Sequence, residues 1–327
     1  MKRAKIVIFL IIIIGLTTTV THADVQVEKN SHKRYLMAAM GDSISAGLFA
    51  GTYLSWFNAE AGLHDDEVKN VVSQVEATGF EAINLMGTAA HPFETRTTYS
   101  WATGKSISSQ YMLLKSQIQK SDPNARVSAY NVAVSGAFTS DLVGEASQVV
   151  AKMKTGKFDS LKYVTVLIGS NDVCHSRPSG VMKAEIRQTF SLLSQINQAE
   201  PIRVLMSGIP RIPETATPDI RSEKTLFGLS CRSIRAILGS CKAMADWTTQ
   251  AQYNALIQQI QGANELLAEA AADANKSFTN LDVVFSNRIF DFDFEGADLA
   301  LDCFHPNAAT QSRLSQILWT AQPWFQQ

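Results

Sequence analysis

Residues 163–168, Tyr-Val-Thr-Val-Leu-Ile, are apolar or β-branched without a polar alternation and stop at Gly169. A strand with one wet face alternates polar and apolar side chains, so an unbroken run of this kind marks a strand covered on both faces. Similar short runs occupy 35–40, 127–134 and 202–206, with a weaker one at 283–285. Helical patterns at 107–120, 140–154, 183–197 and 245–274 separate them. Alternating strands and helices predict an α/β fold, a three-layer α/β/α sandwich around a mostly parallel five-stranded sheet. Ligands of such a sheet bind beyond the carboxyl ends of its strands.

At 327 residues, 46% hydrophobic and 18% charged, the chain can bury a large core. Its net charge of −1 offers no basic footprint, so nucleic acid is not an expected partner. The first residues differ from the rest. Lys2, Arg3 and Lys5 precede an apolar run over 6–16, then a Thr-rich stretch ending Thr21-His22-Ala23. That order of basic, apolar and small-residue regions predicts a secretory signal peptide over 1–23, followed by a tail over 24–34 and one domain over 35–327. The apolar run is well short of the ~20 residues of a spanning helix. The expected location is secreted or periplasmic, with no transmembrane segment after cleavage and a monomeric state.

An exported destination makes disulfides plausible for the four cysteines, Cys174, Cys231, Cys241 and Cys303. Three pairings are open. Cys231 and Cys241 can close a local loop, whereas Cys174 with Cys303 would tie two loops that carry functional motifs; free thiols remain a third state. No Cys-x-x-Cys or His-x-x-x-His spacing occurs, so neither a metal nor another cofactor is expected.

Four short segments carry the chemistry. They are Gly41-Asp42-Ser43, the run Asn131 to Gly136 (Asn-Val-Ala-Val-Ser-Gly), Gly169-Ser170-Asn171-Asp172, and Asp302-Cys303-Phe304-His305-Pro306. Three follow predicted strands directly, and the fourth precedes a helix expected to open at Pro306. A serine hydroxyl is a weak nucleophile until a base takes its proton, and Ser43 is the candidate. His305 can be that base, with Asp302 fixing its tautomer. The same Asp-x-x-His spacing recurs at Asp172 and His175, so on spacing alone either histidine can serve.

The four segments, in this order, resemble the SGNH (GDSL-type) hydrolases. Ser100-Trp101-Ala102-Thr103-Gly104, the stretch 159–174 and Asp302 to Pro306 look like the phospholipase B-like branch of that family. The resemblance implies a flavodoxin-like SGNH hydrolase fold and a triad of Ser43, Asp302 and His305. It implies an oxyanion hole from the N–H groups of Ser43 and Gly136 and the amide of Asn171. Asp42 and Asp172 become supporting residues, and His175 a residue of the cleft rim or surface. Ser45 stands where threonine is common and Asn307 where serine is common; neither removes a catalytic group. The Gly-x-Ser-x-Gly elbow of α/β-hydrolases is absent around Ser43.

The function expected is therefore a secreted serine esterase acting on phospholipid or lysophospholipid acyl chains, through an acyl-enzyme on Ser43 and without a metal. Its substrate is a small-molecule or lipid ester, met at a membrane surface in the lipid case. A carbohydrate O-deacetylase or short-chain carboxylesterase is the alternative on the same fold. A non-catalytic surface binding protein is a weaker one, since no catalytic group is missing. Phe49, Tyr53, Trp56 and Phe57 follow the nucleophile, where an acyl pocket competes with an ordinary core role.

Overall fold

The structure, a computed structural model, describes residues 32–51, 98–224 and 229–325. The expected leader, and Tyr53, Trp56 and Phe57, lie outside the described residues. Five strands are formed: β1 (Arg34–Gly41), β2 (Arg126–Asn131), β3 (Ser160–Leu167), β4 (Ile202–Ser207) and β5 (Leu281–Ser286). They lie in the order β2-β1-β3-β4-β5, and every pairing is parallel. The sheet is thus wholly rather than mostly parallel among the described residues. Strand order reverses between β1 and β3, the place where such a sheet opens a crevice at its carboxyl edge.

The three central strands β1, β3 and β4 bury both faces, and the period-two alternation decides which helix layer each side chain meets. Leu36, Ala38 and Met40 of β1 join Val164 and Val166 of β3 and Val204 and Met206 of β4 on one face. That face is covered by α3 (Leu142–Lys154), α5 (Ser179–Leu193) and α9 (Gln250–Ser277). Met37 and Ala39 point the other way, with Tyr163, Leu167 and Leu205, against α2 (Gln110–Ser121) and α10 (Ala308–Trp319). These are the three layers that the uninterrupted apolar runs predict.

Local chemistry sets the helix ends. Ser109 caps α2 by accepting from Met112 N–H, and Thr249 with Gln252 forms a capping box at the start of α9. At α10 the expectation is corrected. Pro306 does not open the helix; it makes an isolated bridge with Leu299, and Asn307 caps α10 by accepting from Thr310 N–H at 3.1 Å. The amide that replaces a more common serine thus keeps a capping oxygen.

The shorter helices are α1 (Ser43–Ala46), α4 (Ser170–Cys174), α6 (Pro218–Ser222), α7 (Cys231–Leu238) and α8 (Lys242–Ala245). The last three belong to the insertion after β4. Both cysteine pairings sketched from spacing are corrected: the bridges are Cys174–Cys241 and Cys231–Cys303. Cys231 and Cys241 sit at opposite ends of α7 and its exit turn, so the helix holds them apart. Each instead meets a cysteine of a loop at the carboxyl edge. The insertion is stapled at two points to the loops that carry the third and fourth motifs.

The bridges close segments of 67 and 72 residues. Cross-links of that span stabilise by about 4 kcal/mol each in the chain-entropy picture. Replacing Cys231 and Cys303 together by serine should lower the unfolding free energy by about 2–5 kcal/mol in urea titrations. An unchanged midpoint would contradict this role for the bridge.

Candidate active site

Ser43 begins α1, immediately beyond the end of β1. The turn that puts it there depends on Gly41, whose φ is +128° and whose missing Cβ would lie 1.9 Å from the Leu167 carbonyl oxygen. No side chain fits, so β1 and β3 approach closely just below the serine. Asp42 N–H donates to Leu167 O at 3.0 Å, and the Asp42 carboxylate caps α1 by accepting from Ile44 N–H at 3.0 Å.

His305 arrives from the far end of the chain. Its Nε2 lies 2.7 Å from Ser43 Oγ and its Nδ1 2.5 Å from Asp302 Oδ2. Ser43, Asp302 and His305 are all buried. The Asp-x-x-His spacing works as a local device. Asp302 Oδ1 accepts from Phe304 N–H at 3.2 Å and His305 N–H at 3.0 Å, while Cys303 turns the chain at φ +59°. Burial by itself would raise the Asp302 pKa, but the neighbouring imidazole and these two N–H groups outweigh it and hold it below the ordinary value. The acid is kept as a carboxylate, the form that orients a histidine and stabilises its cation.

The rival pair does not form this arrangement. The Asp172 carboxylate is filled by Thr139 N–H at 3.0 Å, Thr139 Oγ1 at 2.9 Å and Arg177 Nη1 at 2.6 Å. Arg177 also pairs with Glu185 at 2.8 Å. His175 is exposed, its Nδ1 2.9 Å from Asn171 O and its ring edge-on to Phe138. Asp172 braces the loop after β3 against the loop after β2, and His175 is at the surface.

Gly136 and Asn171 lie on those two loops. Asn171 donates one amide hydrogen to Ala137 O at 2.9 Å, which ties the two together and leaves its second hydrogen for another acceptor. Gly136 is exposed at φ +81°, and its N–H has no acceptor among the described residues. Neither does the Ser43 N–H. Unused donors on the turns that follow β1, β2 and β3, at the carboxyl edge where Ser43 sits, suit an oxyanion. Phe49 adds an apolar wall, its ring centroid 6.2 Å from that of His305. Among the described residues no group of three or more His, Cys, Asp or Glu can hold a metal ion.

One supporting residue escaped the sequence reading. Glu145 of α3 reaches beneath β1 and accepts from Gly41 N–H at 2.7 Å. It lies on the buried stripe of α3 with Leu142, Ala146, Val149 and Val150, and a carboxyl on that apolar face is the signal that marks it. Burial pushes its pKa up to about 8, with Asp42 and Asp141 adding and the Gly41 N–H subtracting. Asp42 is raised to about 6, again mainly by burial.

These shifts fix the sign of a pH effect. Between the ordinary carboxylate range and about 8 the native state holds a Glu145 proton that the unfolded chain has lost. Stability therefore falls as pH rises through that window. Asp42 gives the same slope only up to about 6. Between pH ~6 and ~8, Glu145→Gln, which keeps an acceptor for Gly41, should remove a slope of about 1 kcal/mol per pH unit. Equal slopes for variant and parent in urea unfolding would contradict the assignment.

The family described as GDSL-like lipase/acylhydrolase matches residues 37–318. Two curated relatives are the membrane-associated phospholipases B1 of Rattus norvegicus and Mus musculus. The rat protein is 24% identical over 319 residues, covering 87% of this chain and 19% of its own length. The mouse protein is 25% identical over 217 residues, covering 58% of this chain and 14% of its own. The chain thus spans less than a fifth of either relative. Among solved structures, TesA aligns with a TM-score of 0.44 at 14% identity, covering 88% of this chain and 97% of TesA. A Clostridium thermocellum family 3 carbohydrate esterase aligns with a TM-score of 0.41 at 14% identity, covering 88% and 95%.

Proposed function

We propose, because this chain belongs to the GDSL-like lipase/acylhydrolase family, that it is an exported serine esterase acting on phospholipid or lysophospholipid acyl esters. The observation that carries the reading is the unbroken line Ser43 Oγ, His305 Nε2, His305 Nδ1, Asp302 Oδ2. In the first half-reaction Ser43 Oγ bonds to the ester carbonyl carbon and its proton passes to His305 Nε2. The carbonyl oxygen becomes an oxyanion and takes hydrogen bonds from the N–H groups of Ser43 and Gly136 and the amide of Asn171. Donors held in place before reaction need no reorganisation, which is the source of their several kcal/mol. When the tetrahedral centre collapses, the bond to the alcohol oxygen breaks and His305 returns the proton to that leaving group. A water molecule, deprotonated by the same nitrogen, then attacks the acyl-enzyme and frees the acid and Ser43.

The phospholipid preference rests on the curated relatives and on the motifs shared with the phospholipase B-like branch. Export is supported by the basic-apolar-small pattern of residues 1–23 and by two disulfides, which persist in oxidising compartments. No helix among the described residues is long and apolar enough to cross a membrane.

Purified protein should release fatty acid from lysophosphatidylcholine faster than acetate from acetylated xylan. Acetate release alone would make it a carbohydrate or short-chain esterase instead. His305→Ala should cost about 10³-fold or more in turnover, the scale of a lost acid–base group, whereas His175→Ala should stay within about threefold. The reverse ranking would overturn the assignment of the base.

A further inference from the structure

A cavity of about 300 Å³ lies among α6, α7 and α8, lined by Arg221, Arg232, Arg235 and Lys242 with Asp246 as a carboxylate among them. In a chain of net charge −1, four cations around one small space are a local concentration that needs a reason. Two of them are already engaged. Lys242 pairs with Asp246, and Arg221 donates to the carbonyls of Ala245 and Trp247 while lying 4.7 Å over the Trp247 ring.

The other two keep donors without a partner among the described residues. Arg235 is 5% exposed; its Nη1 donates to Thr215 O, but its Nη2 has no hydrogen-bond partner. A buried guanidinium with an orphaned fork arm costs free energy unless an acceptor arrives. Arg232 makes no ion pair among the described residues, and it repels Arg221. Burial and the Arg221 charge bring the Arg235 pKa down to about 10, with the Asp302 and Asp246 carboxylates offsetting only part of the shift. The frame is rigid, since Cys231 at the start of α7 is bridged to Cys303 and Cys241 just before α8 to Cys174.

We propose that this cavity binds a doubly charged tetrahedral oxyanion of the phosphate class, gripped by the cations that line it, Arg232 and Arg235 with Arg221 and Lys242 beside them. Guanidinium forks match the paired oxygens of phosphate, and a net excess of cations favours a dianion over a monocarboxylate. The volume has ample room for one tetrahedral oxyanion. The inference does not rest on the esterase reading.

Isothermal titration of the disulfide-bonded protein with inorganic phosphate tests it. Saturable one-to-one binding in the millimolar range or tighter is expected, with no saturable heat from acetate at matched ionic strength. Arg232→Gln, at an exposed position, and Arg235→Gln should each weaken phosphate binding about tenfold or more. Ester turnover by Arg232→Gln should be unchanged. Glycerol 3-phosphate provides the second arm: binding at least as tight as inorganic phosphate assigns the site to an esterified phosphate, and weaker binding assigns it to the free ion. Absence of saturable phosphate binding, equal binding of acetate, or undiminished binding by Arg232→Gln would each overturn the proposal. Should Arg235→Gln fail to fold, Arg232→Gln decides alone.

Discussion

The hydrogen bond between Ser43 Oγ and His305 Nε2 joins residues 262 apart in sequence, and most of the fold can be understood as the means of making it. A serine and a histidine that far apart meet only if both chain segments are held to a fraction of an ångström by structure that has already formed. The parallel sheet supplies one half of that precision. It delivers Ser43 at the carboxyl end of β1, beside the point where strand order reverses. The loop before α10 supplies the other, through an aspartate that grips the backbone and the ring of its own histidine.

What holds these segments is mostly buried polar contact. Glu145 reaches the Gly41 N–H from the helix layer beneath, and Asp172 with Arg177, Thr139 and Glu185 knits the loops after β2 and β3. On the opposite side, Gln311 of α10 accepts from Trp101 N–H at 2.8 Å and donates to Ile44 O at 3.2 Å, so α10 is tied to the nucleophile turn. Buried contacts of this kind favour one arrangement, because breaking any member leaves a partner buried and unpaired. The disulfides add a covalent version of the same constraint. Cys174 and Cys303 are the points where the insertion grips the loops bearing Asn171 and His305.

Much of this is legible in the sequence. The uninterrupted apolar run at 163–168 requires a strand covered on both faces, and β3 occupies Ser160–Leu167 with helices on each side. The segments at 41–43, 131–136 and 169–172 fall at strand ends because a turn must follow a strand, and Gly41 and Gly169 mark where it turns. The histidine ambiguity was not resolvable from spacing, since Asp172 and His175 repeat the pattern. In the structure the Asp172 carboxylate is filled by an arginine five residues on, and it is His305 that lies against Ser43. Disulfide partners were also beyond reach, because they depend on which loops the insertion lies over rather than on cysteine spacing. Glu145 was hidden for a related reason: a single carboxyl on an apolar helical stripe signals a buried partner but not its identity. The Pro306 boundary failed because proline suits a strand-like bridge residue as well as a first helical turn.

The central claim is that Ser43 is the nucleophile made reactive by this line of hydrogen bonds. Its most direct test is peptide mapping by mass spectrometry after treatment with a fluorophosphonate. The account predicts a single phosphonyl adduct on Ser43, lost in Ser43→Ala and strongly slowed in His305→Ala. An adduct on another residue, or a folded protein that does not react, would contradict it.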